Sequence, residues 1–320
     1  MPTLRSVDWF LIGAISTQDR CKSVLLHNKK SLNITNGAFL KIIDEPSVFS
    51  AKSEFRMASM QSEIQRVSTN GVEILELRLL GSLARVQKKL AGWIAQSNGN
   101  VILDISCLPE RFCFPILRWL HESRDVNNLV VTYMLPESYT REDLGYDAQD
   151  WGQLPTFVNS DANGKSVENV IVGVGFLPYS LPDWLKKTYA TPNFKISLLM
   201  PFPAAPSSVD RSWEFIRRIE KDLSLRDDRQ IIRIAANDLS GAFQRIENIT
   251  RGGQTHSVFA PYGPKAHSIA MALHALRHSC EVYFTQPTYY HPEYSTGIAL
   301  DQGLPAGHAY AIRVSGYDFY

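Results

Sequence analysis

An excess of charge of either sign is absent from this chain: 33 Lys and Arg stand against 32 Asp and Glu in 320 residues. A net charge of +1 gives no broad field to gather nucleic-acid backbone or an acidic bilayer surface. Neither bulk nucleic acid nor membrane is therefore an expected partner. Cysteine is scarce. Cys21, Cys107, Cys113 and Cys280 form no CxxC pair, and no histidine stands at zinc-finger spacing beside Cys107 and Cys113, which argues against a disulfide framework or zinc knuckle. Free, mostly buried thiols suit a reducing compartment. No apolar run approaches the ~20 residues of a membrane span. The opening MPTLRSVDWFLIGAIS is broken by Asp8 and carries no cleavage-site pattern, so it reads as a first strand of a cytoplasmic protein. GxxxxGK[ST], HExxH and paired carboxylates at glycosidase or nuclease spacing are also missing. Walker-type NTP hydrolysis and zincin chemistry have no support, and neither a cofactor nor a metal is expected.

What is present is an alternation of short apolar runs with amphipathic stretches, the pattern of a parallel α/β sheet. In the first half, strands are predicted at 9–15, 39–43, 72–77, 101–105 and 129–133, with helices near 18–27, 55–67, 82–96 and 110–123. The second half repeats the order with strands at 170–174, 195–200, 230–235, 257–261 and 281–285, and a last strand at 309–314. The expected fold class is α/β: two tandem Rossmann-like units with mainly parallel sheets, related by internal duplication. The units are placed at 1–160 and 165–320, joined by a polar excursion at 140–168 without sustained period.

Weak self-similarity supports the duplication. FLIGAIS at Phe10 lies over VIVGVGF at Val170, pairing Gly13 with Gly173. Further along, Pro46 falls on Pro203, Gln87 on Gln244 and Pro109 on Pro264. VTYMLPESY at Val131 answers VYFTQPTYY at Val282, so that Pro136 meets Pro287 and Tyr139 meets Tyr290. The separation shrinks steadily along the chain, as small loop differences would produce.

In open parallel sheets a ligand binds beyond the C-terminal strand ends, where loops converge and helix N-termini expose N–H groups. That rule ranks the loops. In the second copy, Tyr262-Gly263-Pro264-Lys265 leads to Ser268 and an apolar helix; glycine, lysine and hydroxyl together suit a phosphate, although a Gly-Pro turn starting a helix would look the same. In the first copy, Asp104, Ser106 and Arg111 flank the equivalent turn. Asp104 could cap its own loop, receive Arg111 or contact a ligand hydroxyl, and Arg111 could clasp phosphate. Ser16, Gln18 and Arg20 follow the first strand, where helix capping competes with a ligand-facing turn. Gln286, Tyr289 and Tyr290 follow the fifth strand of the second copy and could stack on a base, or could simply pack as a rigid loop. For an enzyme, Asp104 and Glu137 are the candidate acid–base groups. His267, His274 and His278 share one helix, with the last two four residues apart; without an HExxH pattern they read as a buried or solvated face.

The run LDISCLPERFCFPIL, from Leu103 to Leu117, resembles the strand–loop–helix signature of CARF domains, Rossmann-like nucleotide sensors of prokaryotic antiviral systems. Asp104, Ser106 and Arg111 carry the resemblance in the first copy, and Gly263, Lys265 and Ser268 in the second. The first loop lacks glycine, the second lacks an acid at the strand end, and the Thr-Gly-Gly core occurs nowhere. Two such units in one chain is also how SAVED sensors look. The resemblance implies a nucleotide or oligonucleotide second messenger held at strand ends between the two halves, with output through a protein effector. Two other readings stand beside it: an enzyme cleaving a phosphodiester or glycosidic bond in the same cleft, and a structural subunit of a larger defence complex. The loops having diverged, a single asymmetric cleft dominated by the C-terminal half is expected.

Overall fold

A computed structural model describes residues 7–27, 32–68, 71–158, 166–188, 194–203, 206–223 and 229–320. The chain forms two compact units, one of residues 1–147 with 287–319, the other of 148–286 with Tyr320. The expected junction at 159–165 lies outside the described residues.

Unit 1 begins with β1 (Asp8–Ile15), a 3-10 turn (Asp19–Lys22) and α1 (Ser23–His27), then β2 (Asn33–Ile43), α2 (Ser50–Val67), β3 (Glu73–Arg78), α3 (Ala84–Gln96), β4 (Asn100–Asp104), α4 (Glu110–Glu122) and β5 (Asn128–Met134). Short strands β6 (Ser138–Tyr139) and β7 (Gly145–Tyr146) follow. In unit 2 come β8 (Gly152–Gln153), β9 (Asn169–Gly173), α5 (Leu181–Thr188), β10 (Lys195–Pro201), α6 (Pro206–Leu223), β11 (Arg229–Ile234), α7 (Leu239–Thr250), β12 (Ser257–Pro261), α8 (Lys265–His278) and β13 (Glu281–Phe284). The chain then returns to unit 1 with β14 (Tyr289–Tyr290), β15 (Ser295–Thr296), β16 (Leu300–Asp301), β17 (Leu304–Pro305), β18 (Gly307–Val314) and β19 (Tyr317–Asp318).

The unit 1 sheet has the order β19-β18-β5-β4-β1-β2-β3, and the unit 2 sheet β11-β10-β9-β12-β13-β8. Their five-strand cores are parallel and identical in order: 5-4-1-2-3 in one, 13-12-9-10-11 in the other. These are two Rossmann-like units with mainly parallel sheets. Strands covered on both faces read as continuous apolar runs, and β1 accordingly buries every residue from Trp9 to Ile15. Trp9, Leu11 and Ile15 pack with Val24 and Leu25 of α1 and with Met57 and Ile64 of α2. The same layer in unit 2 joins Val170 and Val172 to Leu181 and Leu185 of α5 and to Phe215, Ile216 and Ile219 of α6. The remaining helices pair likewise, α3 with α4 and α7 with α8.

The sheet edges depart from a simple tandem. The last strand predicted for the second half does not close that half's sheet: β18 runs antiparallel to β5 in unit 1, from Gly307 opposite Met134 to Arg313 opposite Leu129. In return, β8 from the supposed linker runs antiparallel to β13 in unit 2. Within unit 1, β6 pairs with β15 and β7 with β14. Exchanging the two halves of the sequence turns β5·β18 into β13·β8 and β6·β15 into β14·β7, so the trade itself follows the duplication. The excursion at 140–168 is thus partly structural, and its Leu154 and Phe157 are buried.

The repeat holds in detail at the fourth helices. Pro109 and Pro264, matched by sequence, are both N-caps, with φ/ψ of −60/147° and −56/149°. One strand proved longer than predicted: β2 starts at Asn33 rather than Phe39. Its first half holds Asn and Gly, poor strand formers, and a Cβ on Gly37 would stand 2.8 Å from the Leu11 carbonyl oxygen. Close approach of the neighbouring strand requires glycine there.

Candidate functional site

Unit 1 gathers a buried polar cluster where β1, β4 and β5 end. Asp104 closes β4 with its side chain turned into the protein. Its Oδ1 accepts from the Ser106 N–H (3.1 Å), the Ser106 hydroxyl (2.5 Å) and the Thr132 hydroxyl (3.4 Å). Ser106 Oγ in turn accepts from the Met134 N–H at 2.9 Å, tying the fourth loop to the end of β5. Burial lifts the Asp104 carboxyl to about 6, against the Ser106 hydrogen bonds and the nearby Arg20 charge, which pull it down. Of the three roles read from the sequence, the loop cap is the one the geometry adopts.

Arg20, in the turn after β1, is only 3% exposed. Its Nη1 donates to the Met134 carbonyl at 3.0 Å and its Nη2 to Gln18 Oε1 at 2.5 Å, while the guanidinium lies 5.7 Å from the Tyr133 ring centroid. The same Gln18 oxygen accepts from Ser295 Oγ at 2.6 Å. Nε of Arg20 is buried with no hydrogen-bond partner. A guanidinium is charged at any accessible pH, and an unmet donor on a buried cation is costly. Ser16 accepts a long 3.4 Å bond from the Gln18 N–H, and the turn's N-cap is Gln18, without a side-chain capping bond.

Arg111 does not meet Asp104. It sits in the first turn of α4, where Nη2 donates to the Leu80 and Gly81 carbonyls at 3.4 and 3.2 Å and Nε is again buried without a partner. Glu137 is exposed, lying against Gly297, whose Cβ would collide with the carboxylate. The sequence missed Asp44, at the end of β2. It accepts from the Tyr290 N–H at 2.9 Å, and burial raises it to about 6. Tyr289 and Tyr290 prove to be part of unit 1. Tyr289 stacks on Tyr146 with centroids 5.2 Å apart, and Phe49 meets both rings and His291. These rings pin the returning chain, the packing alternative read from the sequence. A cleft at the ends of β2 and β3 is lined by Ile43, Glu76, Leu77, Arg78 and Arg85.

The equivalent place in unit 2 is filled with rings. Tyr262 follows β12 and packs with Trp151 (5.3 Å), Phe215 (5.6 Å) and Tyr179 (6.2 Å). Trp151 stacks on Trp184, which reaches Tyr283. Gly263 is explained by backbone crowding: a Cβ on it would stand 3.2 Å from Gly173, and one on Gly175 would meet the Tyr262 carbonyl oxygen at 2.1 Å. Lys265 is the first residue of α8 and half-buried. Ser268 is buried in the fourth helical position, beyond any capping role. Gln286 is buried, and its carbonyl accepts from the Gln149 N–H at 2.9 Å. His267 donates from Nε2 to the Ala235 carbonyl, 2.9 Å away, and burial holds its pKa down.

No family model matches the chain, and no curated protein does. Among solved structures, it is similar to a universal stress protein from Archaeoglobus fulgidus DSM 4304, at 11% identity and TM-score 0.25 over 89% of this chain and 97% of that one. It is also similar to the functionally unknown protein PA1789 from Pseudomonas aeruginosa PAO1, at 10% identity and TM-score 0.27 over 90% and 95%. Likenesses at this level carry no argument, and the fold assignment rests on the strand order. No helix among the described residues is long and apolar enough to cross a membrane.

Proposed function

We propose that the chain is a nucleotide sensor that receives a phosphorylated ligand at the C-terminal strand ends of unit 1. The observation that carries this reading is the Arg20 guanidinium. It lies where a parallel sheet presents ligands, buried, with Nε unmatched and no carboxylate in hydrogen-bonding contact among the described residues. A phosphate oxygen supplies the acceptor that Nε lacks, as a charge-assisted hydrogen bond. Gln18, Ser295 and Ser106 are polar neighbours for a sugar or a second phosphate. The choice of unit 1 departs from the expected dominance of the C-terminal half, because rings and close-packed glycines occupy the corresponding space there.

Sensing is preferred to bond cleavage because of Asp104. A pKa near 6 would suit a general acid–base group, but three donors already converge on its Oδ1. It organises the loop rather than facing a substrate. By the CARF-like signature, the ligand class is a cyclic or linear oligonucleotide or a related nucleotide signal, and the output passes to a protein effector of a defence pathway.

The test is a thermal-shift screen of the full chain against mono-, di- and cyclic oligonucleotides, with product analysis of every hit. The expected result is stabilisation of the wild type by at least one phosphorylated ligand, with that ligand recovered intact. Turnover would replace the sensor with an enzyme. Silence across the set would overturn nucleotide binding.

A further inference from the structure

We propose that Glu247, His274 and His278 form a binding site for a zinc-class divalent metal ion that clamps α7 to α8 in unit 2. The helical repeat puts residues four apart on one face, so both imidazoles of α8 project toward the same carboxylate on α7. Glu247 Oε1 lies 2.9 Å from His278 Nε2 and 3.7 Å from His274 Nε2. All three donor atoms fall within 4.8 Å of one another. Tetrahedral zinc with donors at 2.0–2.1 Å separates neighbouring donor atoms by about 3.3 Å. The two separations from Glu247 bracket that value and the third is at most 4.8 Å, so shifts of about 1–1.5 Å would admit the ion. Two imidazoles and one carboxylate select zinc, cobalt or nickel over magnesium or calcium.

The surroundings support the same reading. Thr250 Oγ1, 2.9 Å from His274 Nε2, borders the fourth coordination position. Cys280 Sγ lies 3.9 Å from His274 Nδ1, an outer partner of the kind that orients a metal-bound ring. Behind His278 stands Gly253 at φ +78°, where a Cβ would come within 2.3 Å of Nδ1; the ring is backed by main chain and held in place. The His274 side chain is fully buried, whereas those of His278 and Glu247 are 20% and 19% exposed, which leaves an entry side. Without an ion, the His278–Glu247 and His274–Thr250 hydrogen bonds keep the same groups assembled. The site belongs to unit 2 and uses none of the unit 1 groups invoked for the ligand, so its role is structural and does not rest on the reading above.

The experiment titrates Co²⁺, then Zn²⁺, into tag-free, chelator-treated full-length protein, following cobalt absorption and the unfolding temperature. One equivalent of Co²⁺ should bind with the intense visible bands of a tetrahedral site, be displaced by Zn²⁺, and raise Tm by several degrees. His278→Ala and Glu247→Gln, both at the open side, should each weaken binding at least tenfold and abolish the Tm rise while retaining the wild-type circular dichroism. A wild type that takes up no cobalt overturns the proposal. So does uptake that both variants leave unchanged, since the ion would then sit elsewhere.

Discussion

The two units share a strand order, a pairing of helices and even a proline N-cap at the fourth helix, yet they fill the space beyond the strand ends in opposite ways. In unit 1 that space holds Arg20, Asp104, Ser106 and Thr132 in a buried hydrogen-bonded cluster. In unit 2 it holds Tyr262, Trp151, Tyr179 and Phe215, with two loop backbones in direct contact at Gly173 and Gly263. One scaffold carries a buried cation in a polar cluster there, and the other a packed wall. Duplication conserves what the sheet requires and leaves the loops free to differ.

The packed wall supplies the largest expected effect. A methyl at Gly175 would meet the Tyr262 carbonyl oxygen, and neither backbone has room to yield. Gly175→Ala should therefore destabilise unit 2 by about 3 kcal/mol. The contrast is Gly13→Ala in unit 1, whose methyl meets only the Phe39 ring edge at 3.0 Å and should cost about 1 kcal/mol. Urea unfolding, with hydrogen exchange to assign the unit affected, measures both. Equal costs would remove the claimed difference in packing.

Titration sharpens the comparison because the units carry buried groups of opposite kind. Asp104 and Asp44 are raised by burial to about 6 from 3.8. Between those values the folded state holds more protons than the unfolded chain, so unit 1 loses stability as pH rises from about 4 to 6. His274 is depressed by burial, and by the charges of His278 and Arg277, to about 3 from 6.5. Its unfolded form takes up a proton that the folded form refuses, so unit 2 is most stable above about 6.5 and loses stability as pH falls toward 3. Over its full range each shift integrates to roughly 3 kcal/mol for each carboxyl group and roughly 5 kcal/mol for the histidine. Hydrogen exchange from pH 4 to 6 on chelator-treated protein, corrected for intrinsic rates, should give slopes of opposite sign in the two units. Slopes of one sign would contradict the burial of one set.

Smaller effects mark local devices. Asp238 N-caps α7, with Oδ1 accepting from the Gly241 N–H at 2.8 Å. Asp238→Ala should cost about 1 kcal/mol, read as a lower urea midpoint. Glu293, at the surface of unit 1, pairs with Lys52 and Arg56; the exposed pairs should contribute under about 0.5 kcal/mol, so Glu293→Gln should leave the midpoint almost unmoved.

Much of the scaffold was legible because buried parallel strands are written as unbroken apolar runs; 257–261 was read to the residue. The edge exchange was not. The alternation in β18 is that of any edge strand, and nothing in it says which sheet it joins; that is settled by pairing with β5, some 180 residues earlier. Site residues divide the same way. Asp104 and Arg20 stood out as charges beside apolar runs, and Thr132 could have been found as the one aliphatic hydroxyl in VVTYM. Ser295 could not, since its meaning comes from Gln18 across 277 positions. The histidines of α8 were set aside for want of a local motif, because their third partner is on a different helix.

The central claim is that ligand binding belongs to the polar strand ends of unit 1 and not to the glycine–lysine loop of unit 2. Isothermal titration of the screen's best phosphorylated ligand into the wild type, Arg20→Lys and Lys265→Ala tests it most directly. Arg20→Lys keeps the charge and loses the planar fork, so affinity should fall about 10- to 100-fold, while Lys265→Ala should change it less than about threefold, within ~0.7 kcal/mol. Loss of binding in Lys265→Ala with Arg20→Lys unchanged would move the site to unit 2 and contradict the account.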